Sequence, residues 1–251
     1  MNDTATQAWQ GWAWLGLARP GKAGLAGLGI ATQALHTQRM TWLNPLPITR
    51  DEAHVYRLAD GHVFPTSVTA LISAVTKTPS QMEAIMASRH TWEPRGNTIH
   101  QTLEAMAHQR WNPSPPDLQP PDPTDYTAWI DPLLAHPLWD QVQVIGAEVM
   151  AYSLRRNVAG TADLVLKFPD GTYAVADLKT QGSKSSSAYD TRPQLGAGVE
   201  MIGDHYGLFF SRCLTLWSKP GSLTIQTHTA DECLQAWLDA CDLYAERFRP
   251  F

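Results

Sequence analysis

The segment GTADLVLKFPDGTYAVADLKT, residues 160–180, sets two aspartates and a lysine into the stretch that otherwise reads most like a buried hairpin. Pro169, Asp170 and Gly171 suit a three-residue hairpin loop, with proline pre-setting the first turn position and glycine taking the left-handed last one. If Phe168 pairs with Thr172, counting back along both strands brings Asp163 opposite Asp177. Residues two apart on a strand share a face, so Lys179 joins them. Like charges placed directly opposite destabilise a sheet, and burial adds to the cost. A divalent cation between the carboxylates removes that repulsion, and hard oxygen donors suit magnesium or manganese. An ammonium beside the cation can hold or deprotonate a water, or stabilise charge developing on a phosphate. A structural arrangement competes with this chemistry: an ion pair between Asp163 and Lys179, with Asp177 at a strand end.

These side chains need a frame. After Trp139 the pattern is strand-like: VQVIGAEVMAYSL, then the hairpin. A helix over 192–202 follows, then two strands joined through Lys219, Pro220 and Gly221, and a closing amphipathic helix over 231–248. Upstream lie a short hairpin turning at Asp60 and Gly61, a helix capped by Thr66 or Ser67, and a helix capped by Ser80 that runs to about His90. A third helix is predicted over 95–110, with Ile99, Leu103, Met106 and Ala107 as its apolar stripe and His100 and Glu104 one turn apart on a flank. The proline-rich loop NPSPPDLQPPDP separates it from a helix begun by Thr124 or Asp125. Strands with helices on both sides predict an α/β or α+β sheet domain. Residues 1–50, rich in glycine and alanine, read as a partly ordered extension, and residues 51–251 as one domain.

Several motifs together resemble a known family. GTAD followed by DLKT resembles the core of the PD-(D/E)XK nucleases, especially their RecB-like exonuclease branch. RGNTIHQTLE resembles that branch's helix bearing a metal-binding histidine, and DGHVFPTSVTALIS resembles the opening segment of mitochondrial genome maintenance and phage-type exonucleases. The resemblance spans roughly residues 54–206. It implies a restriction-endonuclease-like core, a mixed central sheet flanked by helices. It implies that His100, Asp163 and Asp177 bind the metal with the Leu178 carbonyl, that Lys179 positions or activates water, and that Glu148 and Gln194 support the site. Glu148 also fits an ordinary outward-facing strand residue, and Glu104 a helix-surface group. Where the branch carries tyrosine four residues after Gln194, this chain has Gly198. Arg95, Lys184 and Arg192 lie near the motifs in sequence and are candidates to contact DNA, with Arg155, Arg156 and Lys167 nearby.

The implied function is a DNA nuclease dependent on Mg2+ or Mn2+, an exonuclease on single-stranded ends in DNA repair, recombination or genome maintenance. The alternatives are a structure-specific or restriction-like endonuclease, and a catalytically inactive nucleic-acid-binding module. The 251 residues carry a net charge of −5, which argues against a uniformly basic duplex-coating surface but leaves room for a local basic groove. The three cysteines, widely spaced, cannot supply the four clustered thiolates of iron–sulfur relatives and read as buried thiols of a cytoplasmic protein. The apolar stretch near the N-terminus is broken by Arg19, Pro20, Gly21 and Lys22, and no run reaches the roughly 18 apolar residues of a membrane span. The tryptophans, Trp92 and Trp129 among them, are expected in the core rather than stacked on bases.

Overall fold

The computed structural model describes residues 42–182 and 189–248, all within one compact unit spanning residues 39–251. Residues 1–41, the bulk of the expected extension, and Lys184 lie outside the described residues. Residues 42–50 belong with the body rather than with an extension. Leu43 and Ile48 are buried, and β1 (Ile48–Arg50) pairs antiparallel with β2 (Tyr56–Leu58). The boundary expected at residue 50 rests on the loss of periodicity around NPLPIT, but so short a strand carries too little alternation to register. The chain turns at Gly61, whose positive φ suits glycine, and β3 (Thr66–Ser67) leads into α1 (Val68–Thr76). The Ser67 hydroxyl caps α1 by accepting from the Ala70 N–H.

Two helix starts differ from expectation. α2 (Pro79–Ala87) is capped by Thr78 rather than Ser80. Thr78 accepts from the Gln81 N–H, the Gln81 side chain accepts from the Thr78 N–H, and Pro79 fills the first helical position, where a missing N–H costs little. α3 (Arg89–Trp111) begins at Arg89 rather than Arg95 and continues through Pro94. Proline there loses only the bond to the His90 carbonyl, near the helix start, and the Arg89–Glu93 pair one turn apart supports the leading segment. A one-turn 3-10 helix (Thr124–Tyr126), α4 (Thr127–Leu134) and the short α5 (Leu138–Gln141) follow.

The sheet is mixed. β4 (Gln143–Ser153) pairs antiparallel along β5 (Val158–Lys167), and β5 pairs antiparallel with β6 (Tyr173–Thr180). The helix α6 (Arg192–Tyr206) carries the chain over to β7 (Phe210–Lys219), parallel to β6, and β8 (Ser222–Thr229) returns antiparallel before α7 (Ala230–Phe248). Leu164, Leu166, Ala176 and Leu178 pack one face against Ile99 and Leu103 of α3 and Leu133 of α4. Val165 and Val149 pack the other against α1, α6 and α7, through Leu71, Ile202 and Trp237. The architecture is thus the expected mixed sheet between two helical layers. Cys213, Cys233 and Cys241 are free and buried in it. Among the described residues no helix is long and apolar enough to cross a membrane.

Two local features shape the surroundings of Asp163. β4 takes one edge of β5 along most of its length, while the other edge is divided: β3 pairs with it at Val158 and Ala159, and β6 at Leu164 to Lys167. Between them, residues 160–163 have no strand partner on that side among the described residues. The sheet therefore opens in front of Asp163. On β4, Glu148 has φ 46, in the left-handed region that a side chain resists.

Candidate metal centre

The hairpin has the expected register. The Phe168 N–H donates to the Thr172 carbonyl, Gly171 has positive φ, and Leu164 pairs with Ala176. One step further Asp163 faces Asp177, but there the ladder stops. The Asp163 carboxylate turns in and accepts the Leu178 N–H at 2.6 Å, replacing a backbone acceptor. Leu178 thus serves the site through its N–H, and its side chain is buried against α3. Asp163 is fixed before any ligand arrives.

His100, Glu148 and Asp163 converge from α3, β4 and β5. Each offers a ligand atom, and these atoms lie within 4.8 Å of one another. His100 Nδ1 is 3.5 Å from Asp163 Oδ2 and 3.8 Å from Glu148 Oε1. The resemblance implies His100 together with Asp163 and Asp177; the structure groups Glu148 with the first two and holds Asp177 on Lys179. Regular alternation gives no reason for Glu148 to turn this way. Ala147 packs with the α3 layer and Val149 with the opposite one, so the left-handed residue between them breaks the alternation. Glu148 is not an ordinary outward strand residue.

Beside this trio stands a second unit. Lys179 Nζ lies 2.9 Å from both oxygens of Asp177 and donates a hydrogen bond to Oδ1 and another, also 2.9 Å, to Gln194 Oε1 in the first turn of α6. Asp177 Oδ2 is shut off from solvent and meets the ammonium as an ion pair rather than through a well-directed hydrogen bond. Burial pushes the Asp177 carboxyl up to about 6, with Lys179 opposing the rise and Asp163 adding to it. Burial also raises Asp163, against the pull of His100. For His100, burial disfavours the charged ring, but Asp163 and Glu148 outweigh it and hold its pKa up at about 9. Burial opposes the Lys179 charge as well, and Asp177 more than compensates, so the ammonium stays protonated. With no metal bound, Lys179 therefore carries a positive charge.

The donors fit a hard divalent cation. Three carboxylates face a single lysine, and a metal requires the imidazole neutral, which leaves uncompensated negative charge in a shielded place.

The remaining candidates fall in different places. Arg95 reaches the end of β6, where its Nη2 lies 3.5 Å from the Thr180 carbonyl. Arg192 is tied to Asp190 at 2.8 Å, and Arg155 and Arg156 are tied to the buried Glu200. Lys167 rests over the Tyr173 ring, away from the acids. Glu104 is half-buried, and burial and Glu148 raise its carboxyl. Gly198 has a packing reason: a Cβ there would meet a Val175 methyl at 2.9 Å, so α6 lies too close to the sheet for tyrosine. Trp129 is partly buried as expected, donating to the Gln181 carbonyl, whereas Trp92 lies at the surface, donating to the Ile85 carbonyl. Arg50 also borders the site, and sequence reading missed it. Nothing in the local pattern of β1 marks it; only the long-range approach to Thr161 does.

No protein-family model matches the chain, and neither does any curated protein. Among solved structures, the crystal structure of SSO0001 is similar over 71% of this chain and 76% of that one, at 14% identity and a TM-score of 0.40. A likeness that distant bears on neither the site nor its chemistry.

Proposed function

We propose that this chain is a divalent-metal-dependent nuclease of the PD-(D/E)XK type, an exonuclease that hydrolyses DNA from single-stranded ends. The observation that carries this reading is the pairing of two units at one sheet opening. One is the ligand trio His100, Glu148 and Asp163; the other is Asp177 with the ammonium of Lys179. Mg2+ or Mn2+ held by His100, Glu148 and Asp163 would supply Lewis-acid polarisation of a phosphate and a more acidic water.

The protein's own contributions are positional. The Leu178 N–H holds Asp163, and Asp163 and Glu148 orient the His100 ring. Gln194 and Asp177 pin Lys179 so that its positive charge is in place before charge develops on a phosphate, which avoids reorganisation during the reaction. Placed there, Lys179 would stabilise charge developing on a phosphate and orient the attacking water.

The test is cleavage of end-labelled oligonucleotides with manganese. Asp177→Ala and Lys179→Ala should each lower the rate by about a thousandfold or more, with circular dichroism and melting showing an intact fold. Undiminished cleavage by either variant would rule the mechanism out. Covalently closed single-stranded circles should survive; their cleavage would assign an endonuclease instead.

A further inference from the structure

Among the described residues every arginine except Arg50, Arg95 and Arg247 lies within 4.0 Å of a carboxylate. Two of the three border the acidic centre. A guanidinium without an anionic partner keeps its donors free for one, and its planar fork matches a phosphate.

Arg95 is held ready. Its guanidinium lies over the Trp129 ring, 5.5 Å from the centroid, and the Trp129 Nε1 is itself fixed on the Gln181 carbonyl at 2.8 Å. Among the described residues its Nε is shielded from solvent and has no hydrogen-bond partner, and its guanidinium makes the long contact to the Thr180 carbonyl. Leaving a buried donor unmade is costly, and an incoming anion would relieve that cost. Thr180 directly follows Lys179, so the group sits at one margin of the centre.

Arg50 sits at another. It ends β1, and its Nη1 lies 3.4 Å from the Thr161 hydroxyl, which is also 2.9 Å from the Tyr56 hydroxyl. Thr161 belongs to the unpaired edge of β5, two residues before Asp163. The Arg50 charge is also felt at Glu104, one turn beyond His100 on α3, whereas Arg95 precedes His100 on the same helix. Positions 95 and 104 are about 13 Å apart along the helix axis. The two guanidinium groups without a carboxylate partner thus border the centre at different points, Arg95 at the end of β6 and Arg50 at the open edge of β5.

We propose that Arg50 and Arg95 grip phosphates at these two margins of the acidic centre, so that one nucleic-acid strand crosses it. This rests on the nuclease reading for the nature of the polyanion. Two localised grips on an acidic chain fit a single strand; a duplex face commonly takes about six to ten phosphate contacts.

The measurement is binding of a labelled single-stranded oligonucleotide by fluorescence anisotropy, with calcium replacing magnesium, over about 50 to 200 mM salt. Arg50→Ala and Arg95→Ala should each weaken binding about tenfold at the low-salt end and reduce the slope of log Kd against log salt by about 0.7. Arg50→Lys and Arg95→Lys keep the charge and should restore the slope, which a merely structural role would not produce. Arg247→Ala, at the far end of α7, should match wild type. If the alanine variants keep the wild-type slope while the wild type binds and cleaves, the two-point grip is wrong and the nuclease reading stands. A slope change seen with duplex but not with single strands overturns the single-strand assignment. A wild-type protein that neither binds nor cleaves any nucleic acid overturns both.

Discussion

Glu148 shows what a single residue contributes. A side chain held at φ 46 costs of order 1 kcal/mol, and this one adds a carboxylate to an already acidic place. Above about pH 9, where the His100 ring it faces is neutral, Glu148→Gly should therefore raise the melting temperature of the metal-free protein by about 2–4 °C, since glycine accepts that backbone and removes the charge. The same change should weaken manganese binding more than tenfold in titration calorimetry. A lower melting temperature, or undiminished binding, would mean that Glu148 is neither strained nor a ligand. At this scale Asp163, Asp177 and Lys179 were legible because a hairpin loop and a period of two are local properties. Glu148 entered only through resemblance, since nothing in GAEVMAYS announces a left-handed residue. Arg50 was not legible at all, because its nearest polar contact lies far along the chain.

Among the elements, α6 is positioned by its small residues. It presses against α7 at Gly196, where a Cβ would fall 1.9 Å from the Cys233 carbonyl, and against β6 at Gly198, where only a valine methyl is in the way. Gly196→Ala should cost about 3 kcal/mol because backbone cannot yield, whereas at Gly198 the gain in helix propensity offsets most of a milder clash. Chemical denaturation of the two variants checks the ranking, and equal costs would refute it. Gln194 sits on the same helix, so destabilising α6 loosens the grip on Lys179 as well. The order of the longer strands and helices is legible from periodicity, while β1, β3 and α5 are too short to show a period. The starts of α2 and α3 turn on local chemistry: Thr78 and Ser80 are both good N-caps, and Pro94 lies inside α3, near enough to its start to be tolerated.

For the molecule as a whole, the buried charges couple stability to pH and to metal. The folded pKa of His100 lies above its ordinary value of 6.5, so its contribution is complete below about pH 6.5 and disappears as pH rises through about 9. The Asp177 carboxyl, raised to about 6, acts in the same direction over a lower range: what it adds below its ordinary 3.8 is lost as pH climbs past about 6. The metal-free protein should accordingly melt at lower temperature as pH goes from 5 to 9. Manganese needs the neutral imidazole, so it should bind more tightly over the same rise. At a hundredfold excess over Kd it should add about 2.7 kcal/mol. Calorimetric melts across pH, with and without manganese, test both trends, and Asp163→Asn should erase the metal's effect. A metal-free melting temperature that climbs with pH would contradict the charge assignment.

The three-residue loop at Pro169, Asp170 and Gly171 has a consequence out of proportion to its size. It is the ruler that brings one aspartate level with another, while Asp177 and Lys179 share a strand face through the period of two along β6. An added residue in that loop would slide β6 along β5 and turn both charges to the opposite side. Drift in the length of this surface turn is therefore closed to the chain in a way that drift in its proline-rich segment is not.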